Sequence, residues 1–389
     1  MKKIKIAIIA HNCRGGGAMV GMLNLLKVIK NLAQHEQFLL VCPAGYGYED
    51  VDFPAGSEFF VYKGSHSPFA RYWFETVTLP KIVERYKPDV IFGPGNIGLA
   101  NPNVPQVLFI KQAYLFYGKK YYPGATLQWR LRIWALKSQI KKSLPKTDLI
   151  LCQTTVVQSR FCDVFSYPKE KTKVLAFPPP KEIVHKPDIE TPGVFGQSSD
   201  SFFVFLPTVH MAHRNPDILI PFCERYCETI RERKIKFLTT LEPFRSKAAR
   251  RFLQKVDEMK LGDIIINVGE LDRKQMAAFL NHSDILWLPT LLECLSTVYL
   301  EAMLVGLPIM APDLDFARYT CDDAAVYYNP WKLDSIFDTI ISLHGNALLR
   351  EELVCKGKHQ LAKRDKFPKS WDNFALEIIE TLKRIAKKN

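Results

Sequence analysis

Short apolar runs alternate with longer amphipathic segments along most of the chain. In the first half the apolar runs predict strands over 5–10, 38–42, 59–62, 89–93, 106–110, 148–152 and 173–177. Between them, apolar residues recur at helical spacing, for example over 18–33, 75–87 and 154–165. Strands that alternate with helices in this way are typical of a parallel α/β sheet with helices on its faces.

The alternation stops once and then restarts. Residues 178–200 hold five prolines and show no clear period, which indicates an interdomain linker. The second half predicts strands over 202–207, 236–241, 264–268, 284–289, 308–312 and 325–330. Its predicted helices cover 215–233, 246–260, 273–281, 297–305, 332–343, 348–364 and 370–387.

We therefore predict an α/β protein of two doubly wound, Rossmann-like domains that face each other across a cleft. The N-terminal domain covers 1–180 and takes back the last helix, 370–389. The linker covers 181–200, and the C-terminal domain covers 201–369.

Composition supports an ordinary globular protein and excludes several classes. Of the 389 residues, 47% are hydrophobic and 12% aromatic, which excludes intrinsic disorder. No apolar run approaches the roughly 18 residues of a membrane-spanning helix. Nine cysteines occur without a CxxC pair, which favours reduced thiols over a zinc site. We expect a cytoplasmic protein.

Positive charge is concentrated in the first half of the chain. Residues 1–190 carry 26 Lys and Arg against 14 Asp and Glu, whereas residues 191–389 carry 27 against 26. Between Asp89 and Asp148 there are nine basic residues and no acidic one. This asymmetry indicates an anionic partner of the N-terminal half. The alternative is a basic soluble protein without such a partner.

One basic segment, 127–146, has an amphipathic pattern. An apolar stripe at helical spacing is formed by Trp129, Ile133, Leu136, Ile140 and Leu144. Basic residues surround it: Arg130, Arg132, Lys137, Lys141 and Lys142. Such a helix either lies on an anionic membrane or packs its stripe on the sheet of its own domain. One helix could do both, because Leu127, Leu131 and Trp134 form a second apolar strip beside the first. No motif for nucleic-acid recognition is present.

The first candidate site follows the first strand. Gly15, Gly16 and Gly17 precede a helix predicted to begin near Ala18, and the free N–H groups of a helix N-terminus favour an anion. Because the dinucleotide fingerprint GxGxxG is incomplete, a phosphate contact and a plain tight turn both remain open. His11 lies at the end of the first strand, beside this loop. It is either a functional residue or an ordinary loop histidine.

The second candidate site is the segment 289–312. The strand 284–289 leads into a loop with Glu293, at the sheet edge where open α/β sheets bind ligands. Ser296 or Thr297 caps the following helix, which Gly306 closes. Glu301 lies about one turn inside that helix. A carboxylate beside an anion-binding helix end suits a ribosyl diphosphate; the alternative is an exposed helix glutamate.

The E-x7-E spacing from Glu293 to Glu301 lies within a strand, a loop, an LEAM-containing helix and a G-x-P turn. This segment resembles retaining GT-B glycosyltransferases of family 4, the glycosyl transferases group 1. The resemblance continues through 269–290 and 311–330 and covers most of the C-terminal domain. The helix 370–387 is similar to the last helix of the family, which crosses back to the N-terminal domain.

The resemblance implies roles for individual residues. Glu301 would hold the ribose hydroxyls of a nucleotide-diphospho-sugar, and Glu293 would contact the transferred sugar or its phosphate. Arg214 would neutralise the leaving diphosphate, so Glu293 and Arg214 are the implied catalytic residues. The remaining donor contacts come from backbone groups of the glycine loop, the base-pocket edge and the helix start: Gly15, Gly16, Gly17, Glu270, Leu271, Leu295, Ser296 and Thr297.

Two positions depart from the family pattern. Val209 stands where a second basic residue is usual, with His210 beside it, and Gln112 replaces a histidine after the fifth strand. We assign Gln112, Lys111 and His11 to the acceptor or the transferred sugar.

The resemblance implies a retaining, hexosyltransferase-type enzyme that needs neither a metal nor a cofactor. We expect its acceptor to be a lipid-linked glycan in surface polysaccharide synthesis, and the protein to be peripheral on the inner face of the cell membrane. No nucleic-acid partner is expected. Two alternatives are a catalytically degenerate GT-B subunit that binds an anionic partner, and a GT-B sugar-nucleotide epimerase.

Overall fold

A computed structural model describes residues 3–33, 35–64, 68–179, 191–196, 200–363 and 367–387. The chain divides into two compact units. The first comprises Met1–Phe116, Thr126–Pro178 and Asp365–Asn389, and the second comprises Tyr117–Ala125 and Pro179–Arg364. Most of the predicted linker 181–200 lies outside the described residues.

The first unit contains a parallel sheet of seven described strands in the order β3-β2-β1-β4-β5-β6-β7. The strands are β1 (Lys5–Ile9), β2 (Gln37–Pro43), β3 (Glu58–Tyr62), β4 (Val90–Gly93), β5 (Gln106–Ile110), β6 (Leu149–Cys152) and β7 (Thr172–Val174). The helices are α1 (Gly16–Leu32), α2 (Pro68–Trp73), α3 (Leu79–Tyr86), α4 (Leu127–Ser143) and α5 (Thr155–Phe165). The doubly wound order reverses at β1 and β4, where such sheets bind ligands.

The second unit contains a parallel sheet of six described strands in the order β10-β9-β8-β11-β12-β13. The strands are β8 (Phe202–Leu206), β9 (Ile235–Thr239), β10 (Ile265–Asn267), β11 (Ile285–Trp287), β12 (Ile309–Pro312) and β13 (Ala325–Tyr328). The helices are α6 (Gly193–Gly196), α7 (Leu219–Arg225), α8 (Cys227–Glu232), α9 (Lys247–Glu258), α10 (Arg273–His282), α11 (Thr297–Val305), α12 (Asp315–Cys321), α13 (Leu333–Gly345) and α14 (Ala347–Ala362).

The final helix, α15 (Trp371–Ala386), belongs to the first unit. It packs against α1 and β4 through an apolar face that includes Phe374, Ile378 and Leu382, all buried. Its Thr381 hydroxyl accepts a hydrogen bond from the Lys173 ammonium at 3.3 Å. The helix predicted over 370–387 therefore packs on the first unit.

Residues 117–125 lie with the second unit, although the sequence assigned them to the N-terminal domain. The Tyr117 hydroxyl donates to Asp315 Oδ1 at 2.7 Å, and the Tyr121 ring packs on Trp331 with 6.0 Å between ring centroids. These side-chain contacts are distant in sequence and leave no local pattern.

Two helices that were predicted to be continuous are interrupted in the structure. The helix predicted over 75–87 begins earlier, with α2, and passes through a π-helical turn, Phe74–Thr78, before α3. The helix predicted over 215–233 begins as a 3₁₀ turn, Pro216–Ile218, and breaks at Tyr226. The Tyr226 ring stacks on Phe337 at 4.1 Å between centroids, a tertiary contact that accompanies the break.

The strand predicted over 173–177 is also too long, because β7 ends at Val174. Pairing with β6 extends only over Thr172–Val174. None of the nine cysteines, all of which lie within the described residues, forms a disulfide. Within the described residues, no helix is both long and apolar enough to cross a membrane.

Candidate functional site

The site predicted in the second unit is built on the connection between β11 and α11. β11 ends at Trp287, and α11 begins at Thr297 after an irregular loop with buried apolar residues. Gly306 ends the helix with a left-handed φ of 76°, as the sequence predicted, because this conformation is strained for a residue with a Cβ. The loop is therefore anchored at both ends by regular elements.

Arg214 and Glu293 come into contact. Their loops are joined where the Leu291 N–H donates to the His213 carbonyl at 2.7 Å and the Thr290 hydroxyl donates to the same carbonyl at 3.2 Å. The Arg214 guanidinium forms an ion pair with the Glu293 carboxylate, and the Glu293 side chain is 14% exposed. The structure thus brings together the two residues predicted to be catalytic.

Burial determines the protonation states around this ion pair. It raises the pKa of Glu293, and the opposite charge of Arg214 acts against that shift. Burial, reinforced by the charge of Arg214, lowers the pKa of His213 to about 3. His213 is consequently neutral near pH 7, and Arg214 carries the positive charge of this loop.

Val209, which departs from the family pattern, and the adjacent His210 lie a few residues before Arg214 in the chain. His210 Nε2 contacts Asp217 Oδ1 at 3.0 Å, and the Val209 side chain is exposed.

The N-terminus of α11 differs from the predicted cap. Ser296 occupies the N-cap position, but its side chain makes no capping hydrogen bond. Its hydroxyl oxygen is buried and has no hydrogen-bond partner among the described residues. Leu295 is buried beside it, and Thr297 is the first helical residue. A helix start that lacks a side-chain cap leaves backbone N–H donors available to an anion.

Glu301 is buried, which excludes its interpretation as an exposed helix glutamate. Its side chain is 5% exposed, and Glu301 Oε1 accepts a hydrogen bond from Arg273 Nη1 at 3.0 Å. Arg273 is the first residue of α10 and was not identified from the sequence. A basic residue in a first helical turn, where the helix dipole disfavours it, was the available signal.

The predicted edge of the base pocket lies just before α10. Gly269 has a left-handed φ of 78° and turns the chain after β10. Glu270 is exposed and accepts a hydrogen bond from Arg245 Nη1 at 2.9 Å, and Leu271 is half-buried. Asp272 starts α10 with a capping box. The loop that carries Glu270 and Leu271 is therefore fixed at both ends.

The glycine loop of the first unit forms part of a helix. α1 begins at Gly16, not near Ala18, so Gly16 and Gly17 lie in its first turn and Gly15 is its N-cap. Gly16 has a left-handed φ of 54°. A Cβ built on any of the three would meet no heavy atom within 4 Å. The loop therefore borders open space, and its conformation at Gly16 favours glycine.

His11 is buried in a polar network at the end of β1. Its Nε2 lies 2.8 Å from Oε1 of Glu75, which lies in the π-helical turn. Arg71 Nε donates to the same oxygen at 2.8 Å, and Gln139 Nε2 of α4 donates to Oε2 at 2.6 Å. Burial lowers the pKa of His11 despite Glu75. Burial opposes ionisation of Glu75, but His11 and Arg71 outweigh it and lower the pKa of Glu75.

Lys111 and Gln112 follow β5, two strands from β1 in the sheet. The Lys111 N–H donates to Asn96 Oδ1 at 2.6 Å, and its ammonium lies 5.4 Å from the ring centroid of Phe177. Gln112 Oε1 is buried without a hydrogen-bond partner among the described residues. His11, Lys111 and Gln112 therefore follow the carboxyl ends of strands in one parallel sheet.

The helix α4 has two apolar faces. Three residues of the predicted stripe, Ile133, Ile140 and Leu144, are buried within the first unit, and the other two, Trp129 and Leu136, are half-buried. On the opposite face lies what we call the α4 strip: Leu127, Leu131 and Trp134, which are 71%, 56% and 69% exposed. The short helix α2 carries three further exposed aromatic residues, which we call the α2 aromatics: Phe69, Tyr72 and Trp73. The Gln139–Glu75 hydrogen bond joins α4 to the chain just after α2.

The family comparison matches a large part of the second unit. Residues 213–346 match the family model of glycosyl transferases group 1. A segment of 122 residues is 29% identical to the phosphatidyl-myo-inositol mannosyltransferase of Mycobacterium leprae (strain TN). That match covers 31% of this chain and 31% of the mannosyltransferase.

Solved structures match the whole chain in fold. WaaG, a glycosyltransferase involved in lipopolysaccharide biosynthesis, superimposes with a TM-score of 0.73 at 14% identity over 97% of this chain and 99% of WaaG. Anabaena HepE in complex with UDP and glucose gives 0.70 at 16% identity over 98% and 100%. A glycosyltransferase from Rickettsia africae gives 0.72 at 14% identity over 100% of both chains. Residues 213–346 therefore match the glycosyl transferases group 1 family model, and the whole chain shares the GT-B fold of these glycosyltransferase structures.

Proposed function

We propose that the protein is a retaining glycosyltransferase that moves a hexosyl group from a nucleoside-diphosphate sugar to an acceptor. The observation that carries this proposal is the arrangement of one loop and one helix in the second unit. Glu293 and Arg214 form an ion pair there, Ser296 keeps an unpartnered hydroxyl at the start of α11, and Glu301 is buried one turn further on.

Each part suits one part of the donor. The uncapped start of α11 and the Ser296 hydroxyl suit the diphosphate, because they supply donors to an anion. Glu301 suits the ribose, since a carboxylate accepts hydrogen bonds from two vicinal hydroxyls. Glu293 suits the transferred sugar, and the loop at Glu270 and Leu271 suits the base.

In the group transfer, we assign to Arg214 the stabilisation of charge on the leaving diphosphate. The bond between the anomeric carbon and the phosphate oxygen breaks, and the acceptor oxygen bonds the anomeric carbon on the same face. The acceptor proton passes to the leaving diphosphate. Negative charge grows on the diphosphate during this step, and a fixed guanidinium stabilises it more in the transition state than in the ground state. We propose that Arg214 and the start of α11 perform this role without a metal.

Two of the related proteins support the choice of donor and acceptor. HepE was crystallised with UDP and glucose, and the matched mycobacterial protein is named as a mannosyltransferase of a phosphatidylinositol lipid. We propose that this chain, too, uses a nucleotide sugar and a lipid-linked glycan, for surface polysaccharide synthesis.

The first unit suits a peripheral position on the inner, anionic face of the cell membrane. The α4 strip is exposed, and basic residues flank it, with Arg130, Lys137 and Lys141 on one side and Lys142 on the other. An exposed apolar strip between basic residues is the pattern of a helix that lies in a lipid interface. The α2 aromatics are further exposed apolar side chains of the same unit.

The test is a thermal melt of the wild-type chain with UDP, GDP, CDP, ADP or dTDP in the presence of a chelator. A nucleotide at 100 times its Kd contributes about 2.7 kcal/mol, a shift of a few degrees for a domain of this size. We expect one nucleotide to raise the Tm, and Glu301→Ala to abolish the rise. The matched control is Glu258→Ala, an exposed glutamate at the end of α9, which should leave the rise unchanged.

The same assay separates the alternatives. No shift with any nucleotide would contradict the donor site and favour a degenerate subunit. If a nucleotide binds, incubation with the corresponding nucleotide sugar alone distinguishes transfer from epimerisation, because only an epimerase converts the donor without an acceptor.

A further inference from the structure

The contact between Arg273 and Glu301 has a role beyond holding two helices together. It joins the first residue of α10 to the second turn of α11, with 3.0 Å between Nη1 and Oε1. Glu301 is 5% exposed at its side chain, whereas Arg273 is 49% exposed. A buried carboxylate thus meets a guanidinium that still reaches the surface.

Stability alone explains this pair poorly. A cation in the first turn of a helix opposes the helix dipole, and α10 has no acidic residue in its first turn. Burying the Glu301 carboxylate carries a desolvation cost that an ion pair with a half-exposed guanidinium offsets only in part. The residues on either side of Glu301 in the sequence of α11, Leu300 and Ala302, are apolar and buried. A charged pair at this place therefore points to a ligand.

The position of Arg273 indicates which part of the ligand is concerned. Arg273 lies two residues after Leu271, which is at the proposed edge of the base pocket. It also contacts the Glu301 carboxylate, which is proposed to bind the ribose. A carboxylate that accepts hydrogen bonds from two vicinal hydroxyls must be ionised and held in one orientation. The guanidinium lies 3.0 Å from Glu301 Oε1 and fixes the direction of that carboxylate oxygen.

We propose that Arg273 is a positioning residue that orients Glu301 and thereby makes the donor site select ribonucleotides over 2′-deoxyribonucleotides. This inference rests on the proposed function, because it needs a nucleotide in the site. It adds a specificity determinant on α10, outside the E-x7-E segment.

The experiment measures selectivity by calorimetry. The nucleotide that stabilises the wild type, among UDP, GDP, CDP and ADP, is titrated alongside its 2′-deoxy form, and the ratio of the two Kd values is compared between variants. We expect the wild type to prefer the ribo form by about tenfold or more, in line with the loss of one or two hydrogen bonds to a charged group. Arg273→Ala should bring the ratio close to one by weakening the ribo form. Arg273→Lys, which restores the charge, should recover part of the ratio.

The matched control is Lys274→Ala, which removes the adjacent exposed cation of α10 and should keep the wild-type ratio. Glu301→Gln keeps the shape of the side chain and should lose the ratio as Arg273→Ala does. The double variant should lose no more than either single one, because the two residues act as a unit.

The outcomes separate the two proposals. A wild type that binds no nucleotide overturns both of them. A wild type that dTDP alone stabilises overturns the selectivity for ribonucleotides and leaves the donor site standing. A wild type that binds, with an unchanged ratio in Arg273→Ala, overturns the role of Arg273 and leaves the donor site standing. If Arg273→Ala does not fold, Arg273→Lys and Glu301→Gln provide the same comparison, and wild-type ratios in both would overturn the inference.

Discussion

Arg214 and Glu293 form an ion pair across two loops of the second unit, with the Glu293 side chain almost enclosed. Each loop follows a strand, β8 and β11, that neighbours the other in the parallel sheet. The pair is therefore placed by sheet topology at the edge where open α/β sheets bind ligands. Charge on the guanidinium is kept close to the proposed diphosphate, and the carboxylate keeps the guanidinium in one place.

Arg214→Ala should lower kcat by about 10²–10³, the usual cost of removing one donor that stabilises charge in a transition state. The donor KM should change less, because the effect lies in the transition state. Arg214→Lys should retain part of the activity, since it keeps the charge without the planar fork. Steady-state kinetics with the identified donor checks this, with Arg251→Ala, an exposed arginine of α9, as the control. Equal losses in the control and the test variant would contradict the role of Arg214.

Stability should fall with acid through the network of His11 and Glu75. Both groups have a lowered pKa in the folded protein, against ordinary values of 6.5 and 4.5. The unfolded chain therefore binds protons first, and stability is lost as the pH falls below about 6.5 for His11 and below about 4.5 for Glu75. Urea unfolding at pH 7, 5.5 and 4 should show midpoints that decrease in this order.

Glu75→Gln should lower the free energy of unfolding at pH 7 by about 1–3 kcal/mol, because it weakens the hydrogen bonds of a buried carboxylate to His11 and Arg71. Its stability should also depend less on pH below 4.5, since the titrating group is gone. The matched control is Glu84→Gln, an exposed glutamate of α3. The network hypothesis fails if both variants unfold at the wild-type midpoint at every pH.

Membrane binding should depend on the α4 strip. The variant Leu131→Glu with Trp134→Glu should lower binding to phosphatidylglycerol vesicles by tenfold or more, because each apolar side chain contributes about 1.5–3 kcal/mol when it leaves water. Flotation with phosphatidylglycerol and with phosphatidylcholine vesicles measures this, and the anionic vesicles should bind better. Phe244→Glu changes a 96% exposed phenylalanine of the second unit and serves as the control. Wild-type protein that floats with neither vesicle would exclude the membrane surface.

Chelation should leave transfer unchanged. We expect equal kcat values before and after treatment with EDTA, because Arg214 and the start of α11 are proposed to stabilise the diphosphate. Among the described residues, no three His, Cys, Asp or Glu side chains come together as a ligand set. Activity that disappears with EDTA and returns with Mg²⁺ or Mn²⁺ would show that a cation shares this role.

Much of the fold was predictable because it depends on local patterns. Apolar runs of strand length and helical spacing predicted the strands of both sheets within a few residues. The E-x7-E segment predicted α11 and its end at Gly306, since a glycine with left-handed backbone is a local requirement. Errors occurred where packing decides, at the π-helical turn before α3 and at the break before α8.

By itself, the sequence determined the α/β class, the position of Glu293 on a strand-end loop and that of Glu301 one turn into a helix. Tertiary structure alone decided which side chains meet: Arg214 with Glu293, Arg273 with Glu301, and Glu75 with His11. It also decided that Ser296 leaves its hydroxyl unpartnered. The physical reason is the separation in sequence over which each effect acts. Periodicity and turn chemistry act between neighbours in the chain, whereas ion pairs and burial depend on strands and helices that only the folded protein brings together.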